Sequence, residues 1–155
     1  MINNDVLRSI RYALDLADIK LGEVIKLAGR DIETPDLTSF LKKEEEEGFV
    51  ACPDEIMLSF LDGLIISRRG KTEPRPESEK KPEKHLSNNT ILKKLRVAFA
   101  LKDGDMHAVL EQAGFAVSRP ELSALFRAPG HKNYRACGDQ LLRNFLKGLT
   151  MRLRT

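Results

Sequence analysis

The sequence predicts an all-α protein made of two homologous small repeats of about four helices each, joined by a charged linker that contains prolines. Two observations predict this architecture: apolar residues recur at helical spacing in both halves, and the first half aligns with the second without a gap. No segment shows the sustained period-two alternation that is typical of half-buried strands. Of the 155 residues, 41% are apolar, which is enough to build a packed core.

The internal repeat is the strongest pattern in the chain. An offset of 85 residues pairs residues 3–70 with 88–155, and 20 of these 68 pairs are identical. The apolar positions coincide as well, which indicates a duplication. We therefore divide the chain into an acidic repeat over 1–70, a linker over 71–87 and a basic repeat over 88–155. Among the identical pairs are Asn3/Asn88, Asn4/Asn89, Arg11/Arg96, Cys52/Cys137, Asp54/Asp139, Gly63/Gly148 and Arg69/Arg154.

The segment 71–87 separates the two copies. It has three prolines, dense mixed charge and almost no apolar side chains. A segment of this composition cannot bury enough surface to offset the entropy cost of ordering it. We therefore expect a flexible or partly extended tether.

Each repeat contains start signals for four helices. In the first repeat, Asn4 and Asp18 are placed to cap the first and second helices. Thr34 followed by Pro35 indicates the start of the third helix, and Pro53 takes the first position of the fourth. Because the second repeat carries apolar residues at the equivalent positions, the same four helices are expected there.

Motifs in both repeats resemble a known family. The doubled "NN…L…R", the "AG" before a "P-x-L" helix and the stretch "HKNYRACGDQLLRNFLKGL" are similar to the YehS-like family of small bacterial proteins of unknown function. The resemblance covers both repeats and leaves out only the linker. It implies a bacterial cytoplasmic protein with duplicated helical units, and it implies no activity and no functional residues.

No catalytic or cofactor-binding motif stands out. The histidines, His85, His107 and His131, have no cysteine or carboxylate at zinc-ligand spacing, which favours surface positions over metal ligands. The four glutamates at 44–47 point in different directions and are expected to form a solvated helix end. We therefore predict a non-enzymatic protein without a cofactor or metal. The lack of a membrane-length apolar run and of a secretory signal predicts a cytoplasmic protein that does not enter a membrane.

Arg11 and Arg96 occupy matching positions on the flank of the first helix in each repeat. One hypothesis is a pair of ligand-binding arginines. The favoured interpretation is that each side-chain stem covers the core while its guanidinium pairs with a carboxylate. The matched candidates for that carboxylate are Asp54 and Asp139.

Cys52 and Cys137 are equivalent under the 85-residue offset, and each stands just before the fourth helix of its repeat. Because a helix N-terminus can lower a thiol pKa, a reactive cysteine is one hypothesis. Burial as a small apolar side chain is the favoured one. Equivalent positions in two units need not meet, so we expect neither a disulfide nor a metal site.

Net charge distinguishes the two copies. Residues 1–70 carry 9 basic and 14 acidic side chains, a net charge of −5. Residues 71–86 carry 5 and 4, a net charge of +1, and residues 87–155 carry 12 and 5, a net charge of +7. Such asymmetry is typical of proteins in which one half binds nucleic acid or docks on an acidic partner.

The first functional hypothesis is RNA or DNA binding through the basic repeat. A helix that ends at Gly114, a short turn and a helix capped by Ser118 resemble the second half of a helix-turn-helix. Basic and amide side chains there would contact phosphate, and one aromatic ring would stack on a base. The candidate residues are Arg119, Arg127, His131, Lys132, Asn133, Tyr134 and Arg135.

The alternative hypothesis is a protein-interaction module. The acidic and basic repeats would dock on one another within a chain or between chains, and the linker would set their effective concentration. Such docking would cover the basic face and leave little of it for phosphate.

Overall fold

A computed structural model of the chain describes residues 1–70 and 86–154, and these residues form eight α-helices and no strand. The prediction of an all-α protein with four helices in each repeat is therefore confirmed. Residues 71–85 of the tether predicted over 71–87, His85 among them, lie outside the described residues. In chain order the helices are α1 (Asn3–Leu14), α2 (Asp18–Leu27), α3 (Thr34–Phe40), α4 (Asp54–Arg69), α5 (Asn88–Ala98), α6 (Asp103–Gln112), α7 (Arg119–Leu125) and α8 (Asp139–Arg154).

The last two residues of the proposed linker lie with the second repeat. Leu86 is buried in the core. Ser87 is the N-cap of α5, where its hydroxyl oxygen accepts a hydrogen bond from the amide of Thr90 (3.2 Å). Under the 85-residue offset, Leu86 and Ser87 match Met1 and Ile2 at the start of the first repeat.

The two repeats share one core. α1 packs chiefly against α8 of the second repeat, and its counterpart α5 packs chiefly against α4 of the first. Within each repeat, the main contacts join α2 to α4 and α6 to α8. The repeats have therefore exchanged their first helices reciprocally, and the buried apolar side chains of both form a single cluster.

The apolar stripe of α1 explains its burial in this interface. Val6, Leu7, Ile10 and Ala13 recur at helical spacing and are all buried. Each fully buried Leu or Ile side chain contributes roughly 1.5–3 kcal/mol of folding free energy relative to an exposed one.

In residues 1–70 and 86–154, no helix is both long and apolar enough to span a membrane.

A matched glycine lets two helices of each repeat touch. A Cβ atom at Gly63 of α4 would lie 1.9 Å from the carbonyl oxygen of Val24 in α2. One at Gly148 of α8 would lie 2.0 Å from the carbonyl oxygen of Val109 in α6. Because the obstructing atoms are backbone atoms, only glycine fits at these two helix crossings.

Asn4 ties α1 to the loop between α3 and α4. It is 1% exposed and lies within the helix, so the prediction that it caps α1 is wrong, and the N-cap is Ile2. The side-chain amide of Asn4 donates to the carbonyl oxygens of Phe40 (2.9 Å) and Val50 (2.8 Å). Its oxygen accepts a hydrogen bond from the backbone amide of Cys52 (2.9 Å).

The second repeat contains the same network. Asn89 donates to the carbonyl oxygens of Leu125 and Arg135, both at 2.9 Å. It accepts from the backbone amide of Cys137 at 2.8 Å. Thus one asparagine in each repeat, buried in the first and partly buried in the second, satisfies three backbone groups that no helix or strand pairs.

The other predicted helix starts in the first repeat are shifted by one residue. Asp18 and Thr34 were predicted as caps, but each is the first residue of its helix. The N-caps of α2 and α3 are Ala17 and Glu33. Pro53 was predicted as the first helical residue and is the N-cap of α4. The carboxylate of Asp18 still complements the positive end of the helix dipole from within the first turn.

We predict that Gly63→Ala destabilises the protein by about 3 kcal/mol or more, because the added Cβ must force α4 away from α2. Gly148→Ala should do the same to α8 and α6. The control is Gly104→Ala in α6, where a Cβ has no atom within 4 Å. The control should be neutral or stabilise by up to about 1 kcal/mol. The measurement is urea unfolding followed by circular dichroism, and equal stability of the three variants would contradict the prediction.

We also predict that Asn4→Ala costs roughly 3 kcal/mol or more of unfolding free energy, because it leaves three backbone groups without their partner. Asn3→Ala is the control. Asn3 donates to the Cys52 carbonyl (3.0 Å) and to Asp54 (2.8 Å) at a less buried place, where water can replace it. A cost near 1 kcal/mol is expected for this control. Thermal unfolding measures both, and an Asn4→Ala cost no larger than that of Asn3→Ala would refute the argument.

Candidate nucleic-acid interface

α7 places the first predicted contact residue on the surface. The helix is seven residues long and begins after Ser118, whose hydroxyl oxygen accepts from the amide of Glu121 (3.2 Å). The predicted cap at Ser118 is therefore confirmed. Leu122 and Leu125 are buried, so the core-facing side of the helix is defined and Arg119 is left exposed at its start.

The loop from 126 to 138 carries the other predicted contact residues and is folded into turns. The amide of His131 donates to the carbonyl of Ala128, and the amide of Tyr134 donates to the carbonyl of His131, both at 2.9 Å. The ring nitrogen Nδ1 of His131 accepts from the amide of Asn133 (3.0 Å). His131 therefore organises the turn through both its backbone and its ring.

An ion pair joins this loop to α7. The guanidinium of Arg135 lies 2.9 Å from the carboxylate of Glu121. The hydrogen bond from the Ser118 hydroxyl, and secondly the one from Arg135, lower the pKa of Glu121 below its ordinary value. The pair connects the first turn of α7, which carries Arg119, to the end of the loop, and it partly neutralises Arg135.

The remaining basic side chains of the predicted set face solvent. Arg119, Arg127 and Lys132 are exposed, and within the described ranges no carboxylate forms an ion pair with any of them. Asn133 is exposed, while Tyr134 is half-buried and offers only part of its ring. The structure thus gathers this set around α7 and the loop that follows it.

The equivalent loop of the first repeat has the opposite charge. α3 ends at Phe40, so the four glutamates at 44–47 lie in turns beyond the helix, and the prediction of a helix end is wrong. Glu46 accepts a hydrogen bond from the amide of Lys43 (3.0 Å), and Lys42 donates to the carbonyl of Glu47 (2.8 Å). All four carboxylates are exposed. This loop would repel a phosphate backbone, whereas its counterpart in the second repeat carries the opposite charge.

Contacts between the repeats use other basic residues. Lys94 of α5 pairs with Asp62 of α4 at 2.7 Å. Arg154 at the end of α8 donates to the carbonyl of Tyr12 (2.7 Å) and stacks on its ring, with the guanidinium carbon 4.2 Å from the centroid. The matched Arg69 donates to the carbonyl of Val97 (3.3 Å). Each terminal arginine thus binds the last turn of the other repeat's first helix, which favours a cation.

Arg11 and Arg96 have carboxylate partners, but the predicted identity of these partners is wrong. Arg11 pairs with Asp18 at 3.0 Å, and Arg96 pairs with Asp103. Each partner is the first residue of the following helix, so the ion pair bridges the short turn between two helices. The carboxylates proposed from sequence, Asp54 and Asp139, accept hydrogen bonds from Asn3 and Asn88 instead, each at 2.8 Å.

Cys52 and Cys137 are buried at equivalent places, and both are free thiols. Burial, followed by the nearby charge of Asp54, raises the pKa of Cys52 to about 12. Burial, followed by the charge of Asp139, raises the pKa of Cys137 to about 11. Neither environment favours the thiolate that a nucleophile or a metal ligand requires. Across 1–70 and 86–154, no group of three or more His, Cys, Asp or Glu side chains is placed to hold a metal ion.

We predict that both thiols react slowly with iodoacetamide in the native state. Because their pKa values are raised to about 12 and 11, the reaction should accelerate about tenfold per unit as the pH rises from about 8 to 10. In urea both pKa values return toward the ordinary 9.0, so at pH 8 the reaction should be about a hundredfold faster for Cys137 and about a thousandfold faster for Cys52. Mass spectrometry of timed samples measures each rate, and a native thiol as fast as the unfolded one would contradict the prediction.

A surface groove between α1 and α8 contains residues that the sequence argument did not single out. Arg8, Ser9, Arg143 and Lys147 contribute to its walls. A signal for them was present in the alignment of the two repeats, because Asp62 of α4 is replaced by Lys147 in α8. That reversal of charge is visible only when matched positions are compared for their differences.

Comparison with known proteins gives a family and no activity. The family described as "Protein of unknown function (DUF1456)" matches residues 3–70 and again residues 88–155. The chain is 48% identical over 152 residues to "Uncharacterized protein YehS" of Escherichia coli (strain K12), an alignment that covers 98% of this chain and 96% of that protein. No solved structure shows significant similarity to the chain. The resemblance to the YehS-like family is confirmed, and the chain belongs to the DUF1456 family, with two copies of the family's unit in tandem.

Proposed function

We propose that this protein is a non-enzymatic, cytoplasmic nucleic-acid-binding protein that contacts phosphate through α7 and the loop that follows it. The observation that carries the proposal is the exposure of Arg119, Arg127 and Lys132 on one part of the basic repeat without carboxylate partners among the described residues. Clustered cations of this kind bind a phosphate backbone and release its counterions. Asn133 adds an amide donor, and the exposed part of Tyr134 adds a ring edge.

The contact surface is better described as a loop than as a recognition helix. α7 has only seven residues, and its first turn contains Pro120 and Glu121. Glu121 would face a phosphate unfavourably if its carboxylate were not bound by Ser118 and Arg135. Contacts to phosphate from Arg127 and Lys132 require no insertion of α7 into a groove, so they suit single strands and irregular structures as well as duplexes.

The alternative, in which the charged repeats act as docking modules for one another, is supported by the packing of α1 on α8 and of α5 on α4. That packing uses apolar helix faces, the ion pairs of Lys94 with Asp62 and of the Met1 amino group with Asp139, and arginine contacts at helix ends. It leaves the loop residues Arg127 and Lys132 exposed. Docking of the repeats therefore does not compete with phosphate for this surface, and nucleic-acid binding is the better supported function.

We predict that Lys132→Glu and Arg127→Glu each weaken binding of a single-stranded oligonucleotide by about tenfold at low salt. The neutral variant Lys132→Gln should reduce the slope of log affinity against log salt concentration by about one. Fluorescence anisotropy with labelled RNA and DNA of the same sequence measures the affinity and distinguishes the two polymers.

Lys102→Glu is the matched control, because Lys102 is an exposed lysine of the same repeat and the substitution changes the net charge equally. The backbone amide of Lys102 donates to Asp105, and Asp105 pairs with Arg152 of α8. Arg152 lies 13 residues along α8 from Asp139, which places it about 20 Å from the end of the helix that adjoins the loop. Lys102 is therefore far from the proposed contact surface. The control should bind almost as well as the native chain. No binding by the native chain, or equal losses in Lys102→Glu and Lys132→Glu, would refute the proposal.

A further inference from the structure

A groove of about 560 Å³ lies between α1 and α8, where the first helix of one repeat meets the last helix of the other. Arg8 and Ser9 of α1 contribute to one wall, and Arg143, Lys147 and Thr150 of α8 contribute to the other. Its volume falls within the range of sites that hold small molecules. None of these residues belongs to the surface proposed to bind nucleic acid.

The duplication provides a reference for the positions of Ser9 and Lys147 in this interface. At the equivalent interface between α5 and α4, Ser9 is replaced by Lys94 and Lys147 is replaced by Asp62. Those two side chains form an ion pair at 2.7 Å, and the Lys94 side chain is only 18% exposed. At the α1–α8 interface, Lys147 occupies the position of Asp62 and Ser9 occupies the position of Lys94. One positive charge therefore lies at the positions that form an ion pair in the other interface.

The flanking positions have diverged in the same direction. Leu58 and Ile65 of α4 are partly buried and pack against the core. Their counterparts on α8 are Arg143 and Thr150, which line the groove. Burial of apolar surface at one interface has thus been replaced by a cation and a hydroxyl at the other. Packing alone gives no reason for such replacements, whereas an anionic ligand does.

The charges lining the groove do not cancel. Arg8 pairs with Asp5 and donates to the carbonyl of Lys42 (2.8 Å). Arg143 donates to the amide oxygen of Gln140 at 3.3 Å, and its charge also acts on the nearby carboxylate of Asp139, which the amino group of Met1 binds. Lys147 is exposed and forms no ion pair with the carboxylates of the described ranges. Arg8, Arg143 and Lys147 therefore contribute three positive charges and Asp5 contributes one negative charge, which leaves an excess of two positive charges.

The amino group of Met1 also lies at the groove, where it is bound to Asp139 (2.7 Å) and adds no net charge. The ring of Tyr12, which is 59% exposed and carries Arg154 against it, forms an aromatic part of the lining. Guanidinium, ammonium and hydroxyl donors around one concave surface are the groups that bind phosphate. We propose that the α1–α8 groove binds a phosphorylated small molecule, with Arg143, Lys147 and Ser9 donating to its phosphate oxygens.

The test measures binding of pyrophosphate and of ATP to the full chain by isothermal titration calorimetry. Both should bind saturably, and Lys147→Asp should weaken each by about tenfold or more, because it removes a charge-assisted hydrogen bond and adds a repulsive carboxylate. Equal affinities for pyrophosphate and ATP would show that the groove recognises the phosphates alone. Tighter binding of ATP would show that the nucleoside also contributes, with Tyr12 as the candidate contact. Either result supports a phosphate site.

Two further variants keep the test independent of folding and of overall charge. Ser9→Lys with Lys147→Asp copies the Lys94–Asp62 pair into the groove, so this double variant should keep the native unfolding midpoint and still fail to bind. Lys102→Asp changes the net charge as Lys147→Asp does, and it should bind both probes within about twofold of the native chain, since exposed charges outside the site are screened.

Four outcomes would overturn the proposal. They are the absence of saturable binding by the native chain, an equal loss in Lys102→Asp, unchanged binding by the double variant, and displacement of pyrophosphate by a short single-stranded oligonucleotide. The last outcome would assign the groove to a polymer. Because the nucleic-acid proposal is tested at Lys132, failure of either proposal leaves the other standing.

Discussion

The structure depends on one asparagine in each repeat, the buried Asn4 and its partly buried counterpart Asn89. Each amide binds one backbone group at the end of the third helix of its repeat and two in the loop that follows it. The loop has no helix or strand to satisfy those groups, and an unsatisfied buried backbone group is costly. The asparagine therefore holds the loop against the first helix of its own repeat, although that helix packs mainly on the other repeat. The invariance of this pair between the copies follows from that requirement.

Reciprocal exchange of the first helices explains which residues the copies share. Gly63 and Gly148 permit a close crossing within each repeat, and Arg69 and Arg154 bind the helix ends of the opposite repeat. Each of these matched residues performs the same task twice. Among the positions at which the copies differ in charge, two groups form surfaces of interest: the loop before the last helix, and the outer part of the interface between first and last helices. Both proposed binding surfaces occur where the duplicated units have diverged in charge.

Much of the candidate interface could be predicted because charge and turn residues are local properties. The cap at Ser118 and the exposure of Arg127 and Lys132 follow from short stretches of sequence. The partners of Arg11 and Arg96 could not be predicted in the same way. Their carboxylates, Asp18 and Asp103, approach only because a tight turn reverses the chain direction between two helices. The ion pair between Glu121 and Arg135 likewise depends on how the loop folds back on α7.

The sequence by itself determined the number of helices, the duplication and the opposite charges of the two copies. These properties are carried by helical periodicity, by residue identity at a fixed offset and by composition. Only the tertiary structure decided that α1 packs on α8 and α5 on α4, and that a groove lined by Arg143 and Lys147 lies between α1 and α8. The physical reason is that an apolar stripe indicates which face of a helix is buried but does not indicate which other helix packs against that face. The same limit applies to Asn4: its residue type predicts a helix cap, and only the packed loop supplies the three backbone partners that its side chain binds.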